Sequence, residues 1–151
     1  MPKLVNREGE LVEKARPTPQ TLITSDAEIS FENSAGGIRI PGDYDYTALQ
    51  AHLASASLIA IELPAFMDGR AFSLGRLISD DSNFKGELRA CGDFMLDQLH
   101  YLKRCGFDSF ELADNASLAS AKGCLAAFSE HYQAAVLEDK PLYRRVSRPS
   151  A

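Results

Sequence analysis

Three short clusters of charged and amide residues could do chemistry in this chain. They are Asp68-Gly69-Arg70, Gly92-Asp93 followed by Asp97 and Gln98, and Asp114-Asn115. Each follows an apolar run of strand length and leads into a segment with helical spacing. Loops in that position lie at the carboxyl ends of the strands in a parallel α/β sheet, where ligands bind. Helix N-termini there present free backbone N–H groups to an anion, and Arg70 and Arg89 add positive charge. The candidate site for an anion, ligand or partner is therefore Asp68, Arg70, Arg89, Asp93, Asp97 and Gln98. The same residues also have structural uses. Asp93 is placed to cap the helix that follows it. Arg70 carries a planar fork suited to a bidentate carboxylate, and it is expected to contact Asp93 or Asp97 across adjacent strand ends.

Other chemistries find little footing. No glycine-rich phosphate loop or GxGxxG fingerprint occurs, and there is no GxSxG elbow. No flavin, nicotinamide, haem or iron–sulfur motif is visible, so no cofactor is expected. His52, His100 and His131 fall on three different predicted helices with no metal-ligand spacing, and no metal is expected. His100 and His131 lie on polar flanks and are expected to face solvent. Cys91, Cys105 and Cys124 are widely spaced, with no CxxC pair. They are expected to be buried, unreactive small hydrophobes. No catalytic residue can be named, which leaves open whether the chain is an enzyme.

The elements that must hold these residues are legible from periodicity. Ile38-Arg39-Ile40 reads as a strand stopped by Pro41-Gly42, and Asp43 to Thr47 offers caps for a helix carrying Tyr46, Leu49 and Leu53. Ser57 to Leu63 is a nearly unbroken apolar run ended by Pro64. Ala71 to Ile78 has Leu74, Leu77 and Ile78 on one side of a two-turn helix. Gly86 to Cys91 is a strand, and Leu96, Leu99 and Leu102 form the stripe of the next helix, with Gly106 as its C′ residue. Phe107 to Leu112 is another strand. A long helix beginning at Asp114, Asn115 or Ser117 has the stripe Leu118, Ala121, Leu125, Phe128 and Tyr132. Thr21 to Ser25 and Glu28 to Glu32 are short candidate strands, 33–37 is a turn, and the first twenty residues form a loose arm or a hairpin.

Helix and strand thus alternate over most of the chain. This predicts a single α/β domain with a mainly parallel sheet of at least four strands and right-handed helical crossovers. An open three-layer sheet is favoured over a half-barrel-like arrangement. Segments 58–63, 87–91 and 108–112 should be parallel neighbours. Residues 1–37 form an N-terminal arm, 38–136 the α/β core, and 137–151 a basic tail with an apolar-aromatic knot (Pro141, Leu142, Tyr143) beside Arg144, Arg145 and Arg148. That tail is either a loose, surface-draped terminus or a docking strand for an acidic partner.

With 151 residues, a hydrophobic fraction of 45% and a charge of −5, the composition is that of an ordinary globular protein and argues against nucleic-acid or anionic-membrane binding. No apolar run approaches the roughly 18 residues that span a bilayer. The opening stretch MPKLVNREGELVEK lacks the apolar core of a signal peptide. The chain is expected to be cytoplasmic.

Several stretches resemble a known family. They are Pro64, Phe66, Asp68-Gly69-Arg70, Phe72-Ser73, Arg76, Gly86-Glu87-Leu88-Arg89-Ala90, Gly92-Asp93, Asp97-Gln98-Leu99 and Arg104-Cys105-Gly106-Phe107-Asp108, with Tyr132-Gln133 and the Pro141-Leu142 and Arg144-Arg145 pairs later. Together they are similar to a bacterial family of unknown function whose members carry an oxidoreductase label tied to sulfite reduction. The resemblance implies a place in sulfate assimilation, beside assimilatory sulfite reductase, and no family active site comes with it. Two readings follow. One is a non-catalytic accessory protein of sulfite reduction that binds the reductase or another enzyme of sulfate assimilation. The other is a small oxidoreductase or anion-binding enzyme of the same pathway, using Arg70, Arg89 and Asp93. An exposed apolar patch near the tail would favour the first, and a concave site with converging Arg and Asp at the strand ends the second.

Overall fold

A computed structural model describes residues 2–13, 17–24, 29 and 37–145. Apolar residues at alternate positions build a five-stranded sheet from β1 (Lys3–Asn6), β2 (Gly37–Pro41), β3 (Leu58–Leu63), β4 (Glu87–Gly92) and β5 (Ser109–Leu112), in the order β1-β5-β4-β3-β2. β2 to β5 are parallel neighbours, so the expected arrangement of 58–63, 87–91 and 108–112 is present. β1 adds antiparallel to β5, a pairing that periodicity had not indicated. Its chain turns at 6–10 and returns through an antiparallel bridge from Leu11 to Val5, a short hairpin. The register aligns Ile40, Ile61, Ala90, Phe110 and Val5 in one fully buried row across all five strands.

The helices are α1 (Tyr46–Gln50), α2 (Arg70–Asp80), α3 (Leu99–Arg104), which follows a 3-10 turn at Leu96–Gln98, α4 (Leu118–Leu125) and the short α5 (Leu142–Arg145). Asp45 caps α1 by accepting from the Thr47 amide at 2.9 Å, and Ser117 caps α4 by accepting from Ser120 at 3.2 Å. Gly106 ends α3 at φ 101°, where a Cβ would lie 2.2 Å from the Ser79 Oγ. Gly75 lets α2 press against the ring of Phe107, which a Cβ would meet at 2.4 Å. Leu49, Leu74, Ile78, Leu99, Leu102, Ala121 and Leu125 join the inward strand residues in one core.

Three boundaries differ from expectation. Leu77 points outward, because α2 buries Ala71, Phe72, Leu74, Gly75 and Ile78 instead. The helix after β4 starts at Leu96, so Asp93 is not its cap. α4 stops at Leu125, which leaves Phe128 and Tyr132 off its stripe and exposed. Of the expected segments 21–25 and 28–32, Leu22 makes one parallel bridge to Arg39 and Ile29 packs on the core, while 25–28 and 30–36 lie outside the described residues.

The sheet is open, and among the described residues its third layer contains no helix. β2 to β5 follow one another in order across the sheet, and crossovers of one hand then carry the helices to one face. The other face carries Arg39, Glu62, Arg89, Cys91, Ser109 and Glu111, and residues 17–23 of the extended N-terminal chain cross it. Thr18 donates to Glu111 and accepts from Arg89 at 3.0 Å, and the Ile23 amide donates to the Arg39 carbonyl at 2.8 Å.

The C-terminal stretch is tied down as well. The Val136 amide donates to the Arg104 carbonyl, Leu142 to Tyr132, and Arg145 to the His131 carbonyl, with an ion pair to Glu130 at 2.8 Å. Part of the basic knot therefore serves the chain's own fold, while Arg148 lies outside the described residues. Removing the charge that pins the N-terminal strap tests this layer. Arg89→Met should cost about 3 kcal/mol in urea unfolding, since it takes the cation from Glu87, which keeps only the Ser109 hydroxyl, and the donor from Thr18. It should also speed proteolysis at 17–24 while leaving 58–112 protected.

Candidate functional site

The carboxyl ends of β4 and β5 open into a cavity of about 780 Å³ where sequence reading had placed a site. Asp93, Asp97, Glu111, Asn115 and Cys124 stand on its wall, and among the described residues no cation does. The carboxylates are balanced in part by the Lys3 ammonium, which donates to the carbonyl of the wall residue Ala116 at 2.9 Å, and by the N-terminus of α4 at Ser117.

The six candidate residues do not converge. Gln98 braces two loops: its Oε1 accepts from the Met95 amide at 2.9 Å and its Nε2 donates to the Phe66 carbonyl at 2.8 Å. Asp93 and Asp97 are exposed at the cavity. Arg70 does not reach them. Its Nε lies 2.9 Å from Asp68 Oδ1, its Nη2 2.6 Å from Asp68 Oδ2, and its Nη1 2.8 Å from Asp43 Oδ2. The reason is topological. Asp43 follows β2, on one side of β3, whereas Asp93 follows β4 on the other, and the turn into α2 brings Asp68 to its own arginine. The hydrogen bonds from Arg70 hold the Asp68 carboxyl down at about 2. This trio sets one guanidinium between two carboxylates at the surface, a loop brace rather than a pocket.

Arg89 lies elsewhere again. The strand alternation that turns Ala90 into the core turns Arg89 to the opposite face, where its side chain is 1% exposed. Its Nη2 is 2.7 Å from Glu87, its Nε 3.2 Å from Ser109 Oγ, and its Nη1 3.0 Å from Thr18. A buried guanidinium with that many acceptors is an anchor. The expected cluster of Arg70, Arg89 and Asp93 is therefore absent.

Two arrangements escaped the sequence reading. His100 and His131 do not face solvent separately: their rings stack at 4.7 Å, the Nε2 atoms lie 2.6 Å apart, and Phe128 packs at 5.0 Å from His100. One ring must donate and the other accept, so the pair shares at most one proton. Burial first, then the nearby Arg104, pushes the His131 pKa down, and burial does the same to His100. Nothing in their 31-residue separation signals the meeting. The second arrangement is a hollow between α2 and α3, lined by Ser73, Arg76, Arg104 and Gln133. Its residues belong to stretches that carry the family resemblance, which was the signal that could have found it.

Among the described residues no group of three or more His, Cys, Asp or Glu could hold a metal, and no helix is long and apolar enough to cross a membrane. What the fold and cavities define is an open-sheet α/β domain with an acidic strand-end pocket and a basic hollow on its helical face. The family model for a bacterial protein of unknown function, DUF934, matches residues 37–143, and the chain belongs to that family. Comparison with curated proteins and with solved structures gave no match.

The cysteines divide rather than behaving alike. Cys91 is buried, donates to the Ile61 carbonyl and is pushed up to about 12 by burial, and burial raises Cys105 too. Cys124 is only half-buried, on the wall of the strand-end cavity, which corrects the expectation that all three are buried. Peptide mapping after iodoacetamide treatment of the folded protein should show Cys124 labelled first and Cys91 last; labelling of Cys91 at the rate of a free thiol would contradict this burial.

The histidine pair has a pH consequence. Both folded pKa values lie below the ordinary 6.5, so the unfolded chain takes up protons first. The stabilisation is complete above about pH 6.5 and is lost progressively as pH falls towards the depressed folded values. Hydrogen exchange across 127–145 should accelerate in that window, and His131→Gln should flatten the dependence.

Proposed function

We propose that this protein is a cytoplasmic, non-catalytic accessory component of assimilatory sulfite reduction that binds sulfite reductase or another enzyme of sulfate assimilation. The pathway comes from the family resemblance. The mode of action rests on one observation: Phe128, Tyr132 and Tyr143 are 64%, 67% and 59% exposed along the C-terminal stretch. Tyr132 and Tyr143 lie with ring centroids 6.3 Å apart, and the Arg144 guanidinium sits 5.7 Å from the Tyr143 centroid. Tyrosine and arginine are enriched among the residues that dominate protein interfaces, and clustered exposed aromatics mark such sites. The internal ties of 130–145 hold these rings ready, which lowers the ordering cost of association.

Growth tests the pathway. A strain lacking the gene should grow poorly on sulfate or sulfite and normally on cysteine. The wild-type gene should restore growth, and a Tyr132→Asp, Tyr143→Asp double variant that keeps its circular dichroism should not. Equal growth of the deletion strain on all three sulfur sources would overturn the assignment. A variant that complements fully would overturn the binding face.

A further inference from the structure

The hollow on the helical face has a character opposite to that of the strand-end cavity. It lies between α2, α3 and residues 133–135 and has a volume of about 400 Å³. Arg76 and Arg104 are the charged residues of its wall, and no carboxylate lines it. Arg104 is incompletely satisfied. Its Nη2 donates to the Gln133 carbonyl at 3.1 Å, while its Nε is buried without a hydrogen-bond partner among the described residues. No carboxylate pairs with it there. A buried guanidinium N–H without an acceptor is costly, and an anion would supply the acceptor. Arg76 is held from one side by Asp80, at 2.5 Å across one helical turn, and its side chain is 44% exposed. Both guanidiniums act on the thiol of Cys105, which shares the wall with them, against the effect of its burial.

The rest of the wall is apolar and aromatic. Phe72 and Tyr101 meet with ring centroids 5.2 Å apart, and Ser73 adds a hydroxyl at an exposed helical position. The volume falls in the range of small-molecule sites and is many times the roughly 30 Å³ share of one water, more than a bare inorganic ion fills. Ser73, Arg76, Arg104 and Gln133 come from separate motif stretches, and α2, α3 and the returning chain bring them together.

We propose that this hollow binds a small organic oxyanion, with a tetrahedral phosphate or sulfate head on Arg76 and Arg104 and an apolar or aromatic body against Phe72 and Tyr101. Arginine forks match such heads through paired N–H donors. The site is independent of the partner-binding face, and either can hold without the other.

Isothermal titration of the full chain tests it with four probes: phenyl phosphate, phenyl sulfate, inorganic phosphate and phenol. Phenyl phosphate or phenyl sulfate should bind saturably at one site per chain, with the two esters identifying the preferred head. Inorganic phosphate should bind more weakly, and phenol not at all. Arg76→Gln and Arg104→Gln should each weaken binding roughly tenfold, and Ser73→Asp should abolish it by repulsion. If Arg104→Gln fails to fold, the two exposed-side variants, Arg76→Gln and Ser73→Asp, carry the test. Absence of saturable heat with both esters, binding of phenol as strong as that of the esters, or wild-type affinity in Arg76→Gln and Ser73→Asp would overturn the site.

Discussion

Crossovers of one hand, taken three times in the same direction from β2 to β5, carry the helices to one face of the sheet and leave the other to be covered without them. That constraint organises everything else. A face on which no helix lies among the described residues can stay polar, and this one carries Arg39, Glu62, Arg89, Ser109 and Glu111. Arg89 then has to be paired where it is buried, and Glu87, Ser109 and Thr18 supply the acceptors. Thr18 belongs to the N-terminal chain, so the charge on the sheet positions the strap that shields it.

The same topology separates charge. The strand carboxyl ends gather Asp93, Asp97 and Glu111 around a cavity, with Lys3 at the carbonyl of its wall residue Ala116. On the helical side Arg76 and Arg104 line the hollow, Arg76 paired with Asp80, and Arg145 of the returning stretch pairs with Glu130. Residues 130–145 lie against α3 and contribute both exposed tyrosines and a wall of the hollow.

The stretches that carry the family resemblance play unlike parts. Arg70 and Asp68 brace a loop, and Asp43 completes the brace from the neighbouring strand end. Gln98 holds two loops together. Arg89 anchors the strap, and Gly106 turns the chain out of α3. Arg76, Arg104 and Gln133 build the hollow. Most of these motif residues stabilise the frame, and a minority line the hollow between α2 and α3.

The sequence by itself determined the α/β class, the parallel β3-β4-β5 neighbourhood and the C′ glycine at 106, and it narrowed the caps to 43–47 for α1 and to Asp114, Asn115 or Ser117 for α4, of which the fold uses Asp45 and Ser117. Each of these rests on periodicity or on contacts within a few residues, which the local order of side chains encodes. Tertiary structure alone decided that β1 joins the far edge, that Arg70 turns to Asp43, that His100 stacks on His131, and that Arg104 meets Gln133. These pairings join residues 27 or more positions apart in the chain. Their partners are chosen by strand order and by where α4 stops, and neither leaves a trace in local spacing. Charged side chains pair with whatever acceptor the fold brings within reach, so a motif can show that an arginine sits in a loop without showing which carboxylate will hold it.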